Sequence, residues 1–208
     1  QAFIDAQVYG IKKQKYLEDG EILDRELGLE TLLEVLQRKM PLRAHAHRAD
    51  DIMTALRIAE EFGLELIIEH GTEAHKLIAE LTEANIPIVI GPSFSNRAKV
   101  EMAEISWKTA VRLNEAGVLV ALTTDHSVTP VQYLPLCAAL AVKHGMDEME
   151  ALKAITINPA KILKQDHRIG SLEANKDADM VVMSGHPLDW RTRIERVYIN
   201  GAKVYEVI

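Results

Sequence analysis

The sequence predicts an α/β protein built on parallel strands. Between residues 41 and 142 a short apolar run is followed by an amphipathic helical run four times in succession, with short connections. Such alternation lays strands side by side with helices outside, as an open sheet or a (β/α) barrel, and four units make half of a closed barrel. After about residue 165 the pattern changes to short extended segments and turns, so a small β element follows the α/β part.

Taken in order, Phe3, Ile4, Val8 and Ile11 fall at helical spacing and predict an amphipathic helix over residues 2–16, with Lys12, Lys13 and Lys15 solvated at its end. Leu27, Leu29, Leu32, Leu33 and Leu36 mark a second helix that stops before Met40-Pro41. Residues 41–47 read as the first strand, followed by a helix with Ile52, Ala55, Leu56, Ala59 and Phe62 on one face and Gly63 at its end. Residues 64–70 read as the second strand, and Thr72 is expected to cap a helix that buries Leu77, Ile78 and Leu81. Residues 86–90 form the third strand, then a helix carries Trp107, Ala110, Val111 and Asn114 up to Gly117. Residues 118–125 form the fourth. Helices follow through Leu134 to Val142, from Asp147, and from Asn158-Pro159, where Asn158 is expected as a cap. In the tail, residues 178–183, 196–199 and 203–207 read as strands, the last two joined by Asn200-Gly201, a strong hairpin signal.

The 208 residues suffice for a buried core, and 48% hydrophobic with 26% charged residues excludes general disorder. A net charge of −7 gives no reason to expect nucleic acid or an anionic membrane as partner. No apolar stretch approaches the ~20 residues of a membrane span, and no signal peptide is visible, so a soluble, cytoplasmic protein is expected. The single cysteine, Cys137, rules out an internal disulfide and lies in the apolar run from Leu134 to Val142, which predicts a buried, inert thiol. The chain starts at Gln1 within a helical pattern, which predicts a start other than that of its gene.

Three of the four strands end in a potential metal ligand: His45 and His47 on the first, His70 on the second, Asp125 on the fourth. Strand alternation puts Arg43, His45 and His47 on one face, Leu66, Ile68 and His70 on one face, and Leu119, Ala121, Thr123 and Asp125 on one face. In barrels the carboxyl ends of the strands hold the active site. Imidazoles and a carboxylate converging there suit Zn²⁺ first, and Fe²⁺ or Mn²⁺ after it. Singly, each residue has a plainer reading, as a hydrogen-bonded structural histidine or a capping aspartate.

The wording of the motifs shifts the balance towards the metal site. Residues 43–52 (Arg-Ala-His-Ala-His-Arg-Ala-Asp-Asp-Ile), 68–72 (Ile-Glu-His-Gly-Thr), 123–126 (Thr-Thr-Asp-His), 157–162 (Ile-Asn-Pro-Ala-Lys-Ile), 169–173 (Ile-Gly-Ser-Leu-Glu) and 176–179 (Lys-Asp-Ala-Asp) resemble, in order, the amidohydrolase superfamily, most closely its imidazolonepropionase-like and prolidase-like branch. The resemblance implies the second half of a (β/α)₈ barrel over residues 1–165 and closing strands of a small β-sandwich over residues 166–208. It implies a metal-dependent hydrolase of non-peptide C–N bonds in a small-molecule substrate. His45 resembles the ligand of the fifth barrel strand, His70 that of the sixth, and Asp125 the eighth-strand aspartate that contacts the metal and moves the proton of the attacking water. His47 and His126 are candidate substrate contacts, and residues 91–99 and 126–130 are expected to line the pocket.

The departures are as informative. No His-x-His pair stands upstream of Arg43, and the fourth-strand lysine or carboxylate of many relatives is absent. The chain is therefore expected to need a missing N-terminal half of the same protein, with a homo-oligomer possible. Asn175 stands where relatives commonly carry glycine, a change a left-handed turn accepts. Two rivals are a non-catalytic relative acting only within a larger assembly and a metal-free barrel enzyme of another class.

Overall fold

The computed structural model describes residues 1–207. The predicted α/β class is observed as a four-stranded parallel sheet of order β1-β2-β3-β4 and a separate three-stranded antiparallel sheet, β5-β6-β7. The strands of the first are β1 (Leu42–Ala46), β2 (Leu66–His70), β3 (Ile88–Ile90) and β4 (Val120–Leu122). Every residue of β3 and β4 and the first three of β2 are buried, as expected of parallel strands covered on both faces. The register aligns Ile68, Ile88 and Val120, and then His70, Ile90 and Leu122, so the carboxyl ends of β2, β3 and β4 lie level.

The helices are α1 (Ala2–Glu18), α2 (Leu27–Leu36), α3 (Ala49–Phe62), α4 (Ile78–Glu83), α5 (Trp107–Glu115), α6 (Leu134–Lys143), α7 (Glu148–Ala154) and α8 (Ile157–Ile162). None is long and apolar enough to cross a membrane among the described residues.

Two compact units are distinguished. The first comprises Gln1–Ala44 and Met53–Ile67, the second His45–Ile52 and Ile68 onward. In the first, α1 departs from the predicted apolar face: Ile4, Val8 and Ile11 are exposed, while Ala6 and Tyr9 are buried. Tyr9 is fixed by polar contacts instead, accepting from Glu26 N and donating to Glu30. Lys13 and Arg25 both bind the Glu30 carboxylate, holding it down to about 2.

In the second unit, Asp147 caps α7 as expected, its carboxylate accepting from Met149 N and Glu150 N. Cys137 is buried on α6, and burial pushes its thiol up to about 11, so it is the inert core residue predicted. Asn158 is not the cap of α8. It occupies the second position of that helix, and its side chain donates 2.8 Å to Val120 O, tying α8 to β4. The tail forms β5 (Met180–Met183), β6 (Ile194–Ile199) and β7 (Ala202–Glu206). Asn200 and Gly201 join the last two with φ of 50° and 77°, as a two-residue hairpin requires. Asn175 takes the expected left-handed conformation, φ 70°.

Candidate metal centre

The site grows from the level carboxyl ends of the strands. His45 lies on β1, His47 follows its last residue, His70 ends β2 and Gly91 follows β3. Two hydrogen bonds carry the β1/β2 pairing past the strand ends: Gly71 N donates to Ala46 O at 3.0 Å and Glu73 N to His47 O at 2.8 Å. The Glu73 carboxylate then accepts from Ala49 N at 2.9 Å, fixing the start of α3.

This scaffold gathers His45, His47 and His70, one nitrogen from each lying within 4.8 Å of the others. His70 is the best defined. Its Nδ1 lies 2.5 Å from Gly91 O, and since a carbonyl only accepts, Nδ1 carries the proton and Nε2 is bare. That Nε2 lies 3.1 Å from His45 Nδ1. Two nitrogens bound to one ion at about 2.0–2.1 Å are roughly 2.9–3.4 Å apart, so this pair fits a cation without rearrangement. His47 stacks on His70, centroids 4.8 Å apart and planes 8° from parallel, and its Nδ1 meets Thr72 Oγ1 at 2.7 Å. The three histidines form a group that could hold a metal ion, with imidazole donors suited to a divalent one.

Burial pushes His47 down to about 4, with His70 and His45 adding to the effect. A histidine depressed in the folded state takes up its proton more readily when unfolded, so its contribution is complete above about pH 6.5 and is lost as pH falls towards about 4. Urea unfolding of the metal-free protein should show stability declining across that window by roughly 3 kcal/mol at most, and His47→Gln should flatten the decline.

Asp125 lies outside the histidine group. It is exposed, three residues beyond the end of β4, in a left-handed conformation with φ 49°. The predicted strand over residues 118–125 is thus shorter, and its alternation does not extend to Asp125. His70 shares the unusual conformation, φ 73°. Non-glycine residues at positive φ cost conformational energy and cluster at functional sites. Asp125 N donates to Thr123 Oγ1 at 3.1 Å.

His126 is exposed, and its Nδ1 accepts from Val131 N at 3.3 Å within its own loop. The two loops expected to line the pocket are joined, since Thr129 Oγ1 donates to Phe94 O at 2.9 Å. Arg48 pairs with Asp50. His75 is largely covered, contacting Thr109 Oγ1 at 3.1 Å and Glu104 at 3.4 Å. Thr72 was missed as a site residue: the helix it was expected to cap begins only at Ile78, after a 3₁₀ turn over Ala74–Lys76, and its hydroxyl serves His47 instead.

The model of the amidohydrolase family matches residues 23–204. An amidohydrolase structure from Thermotoga maritima MSB8 superposes with a TM-score of 0.96 at 46% identity, covering 99% of this chain and 54% of that one. An imidazolonepropionase of Symbiobacterium thermophilum is 32% identical over 154 residues, 72% of this chain and 34% of the relative. An amidohydrolase of Hapsidospora irregularis is 26% identical over 191 residues, 89% of this chain but 19% of the relative. The chain thus spans a fifth to a third of these two curated relatives and about half of the solved structure.

Proposed function

The chain belongs to the amidohydrolase family, and on that premise we propose that it carries the second half of a metal-dependent hydrolase cleaving amide or cyclic amide-like C–N bonds in small molecules. In this reading residues 1–165 are half of a (β/α)₈ barrel and residues 166–208 are strands of a small β-sandwich. An N-terminal half of the same protein closes the barrel and supplies the remaining donors, and the enzyme works in the cytoplasm. The observation that carries the reading is the pair His45 and His70, their facing nitrogens 3.1 Å apart and the His70 proton committed to Gly91 O.

A divalent cation, zinc by the preference of imidazole donors, would acidify water and polarise the scissile carbonyl when bound there. His45 and His70 would hold it through bare ring nitrogens, and Asp125 would add a carboxylate. Asp125 takes the proton of the attacking water and delivers it to the departing nitrogen, which must leave as an amine. His47 and His126 contact the substrate.

Zinc uptake tests the assignment directly. Equilibrium dialysis should show one Zn²⁺ per protein, with His45→Ala and His70→Ala each weakening binding at least about 100-fold, more than removal of a residue that only supports a ligand. Undiminished zinc affinity in His70→Ala refutes the reading.

A further inference from the structure

The hydroxyl of Thr72 is the only hydrogen-bonding partner of the His47 side chain among the described residues. Both groups are almost wholly covered, Thr72 being 7% and His47 6% exposed. The position of Thr72 is fixed from several sides. Its neighbours Gly71 and Glu73 are bonded to Ala46 O and His47 O, and Thr109 on α5 donates to its carbonyl at 3.4 Å. A β-branched side chain is also stiff at χ1, so the hydroxyl has little freedom to turn away. Behind it lies a cavity of about 10 Å³ lined by His47, His70, Thr72, Met102 and Thr109, among others. That is about one water-sized sphere.

The other ring nitrogen faces a different environment. No buried side-chain nitrogen or oxygen among the described residues lacks a partner, yet His47 Nε2 has none, so Nε2 is the part of this ring that reaches the opening. His70 is built the same way: its Nδ1 is tied to an oxygen, its plane is nearly parallel to that of His47, and its Nε2 is bare. A hydroxyl can donate or accept, so the choice at His47 turns on Nε2. Beside a cation held by His45 and His70, a lone pair is favoured there and an N–H is repelled.

We infer that Thr72 is a positioning residue that holds His47 with its proton on Nδ1, so that Nε2 accepts a hydrogen bond from an N–H or O–H of the substrate. The inference rests on the hydrolase reading, because the cation at His45 and His70 is what favours a bare Nε2. Thr72 touches no reacting atom and acts through the imidazole. The substrate it implies carries a hydrogen-bond donor beside the bond that is cleaved, as a secondary amide or a ring N–H does and a fully substituted amide does not.

Long-range ¹H–¹⁵N correlation spectra of the zinc-loaded full-length protein, labelled at histidine and recorded at about pH 8 to keep the rings neutral, report the tautomer directly. The expected wild-type spectrum has the Nδ1–H form of His47 as the major species. Thr72→Val, which keeps the shape but removes the hydroxyl, should make Nε2–H the major form, and Thr72→Ser should restore Nδ1–H. A wild-type spectrum dominated by Nε2–H overturns the inference even if Thr72→Val does not fold, and so does a folded Thr72→Val with an unchanged tautomer. In the zinc-loaded full-length enzyme Thr72→Val should lower kcat/KM at least about 10-fold, recovered by Thr72→Ser. Zinc uptake with Nε2–H at His47 overturns the inference and leaves the hydrolase reading standing, whereas absence of zinc uptake overturns both.

Discussion

Replacing Gly91 with alanine should destabilise the protein by more than about 3 kcal/mol and loosen His70 at the same time. Gly91 has φ 142°, and a Cβ built there would lie 2.0 Å from Thr123 O and 3.0 Å from Thr123 C. These are backbone atoms at the end of the neighbouring strand, where Thr123 N donates to Ile90 O at 2.9 Å. Relief of the clash therefore has to open the β3/β4 pairing. The same residue's carbonyl fixes the His70 proton, so the damage reaches the metal-binding nitrogen. Gly63→Ala is the informative control: its φ is 64° but nothing lies within 4 Å of the added carbon, so only the left-handed conformation is penalised, by about 1 kcal/mol. Urea midpoints of the two variants should separate clearly. Equal midpoints would mean that the strand ends yield more easily than this packing allows.

Asp125→Asn should cost about 10²–10⁴-fold in turnover of the zinc-loaded full-length enzyme with little change in stability. Asparagine has the same shape, keeps an oxygen for the cation and tolerates the left-handed backbone, φ 49°, as aspartate does. It lacks only the ability to accept a proton from water and pass it to the leaving nitrogen. The exposed position of Asp125 makes an effect through core packing implausible. Turnover and thermal midpoint measured on the same preparation separate the two causes, and turnover at the wild-type level would remove Asp125 from the chemistry.

Much of this molecule was legible because its signals are local. Apolar runs bounded by glycine gave β2, β3 and β4 in order, Asp147 announced α7, and Asn200-Gly201 announced the last hairpin. His45 and His70 could be paired because parallel strands bring their carboxyl ends level, and the family wording singled them out. What escaped was decided by distant partners. Thr72 and Asn158 are both good helix caps by type, yet each spends its side chain on a residue 25 or 38 positions away, on His47 and on Val120. Nothing local distinguishes those uses from capping. For Asp125, alternation failed because β4 ends at Leu122 and the backbone then turns left-handed. On α1 the leucine-like spacing was real but did not mark a buried face, since Tyr9 is held by hydroxyl contacts that hydrophobic periodicity does not record.

The bond from Asn158 to Val120 O has a consequence beyond anchoring α8. On either side of β4, Leu119 O and Thr123 N pair with β3, and in a parallel ladder the residues between them present their polar groups on alternate sides. Val120 O therefore belongs to the outer side of β4, where no strand is bonded among the described residues. An unpaired edge of this kind is a template for indiscriminate pairing, which proteins blunt by covering or interrupting it. Here one carboxamide does so, occupying a single acceptor at the first residue of a three-residue strand. A strand that comes to lie against β4 on that side meets an acceptor already engaged by Asn158, so a side chain from α8 takes part in what this edge of the sheet offers to a neighbour.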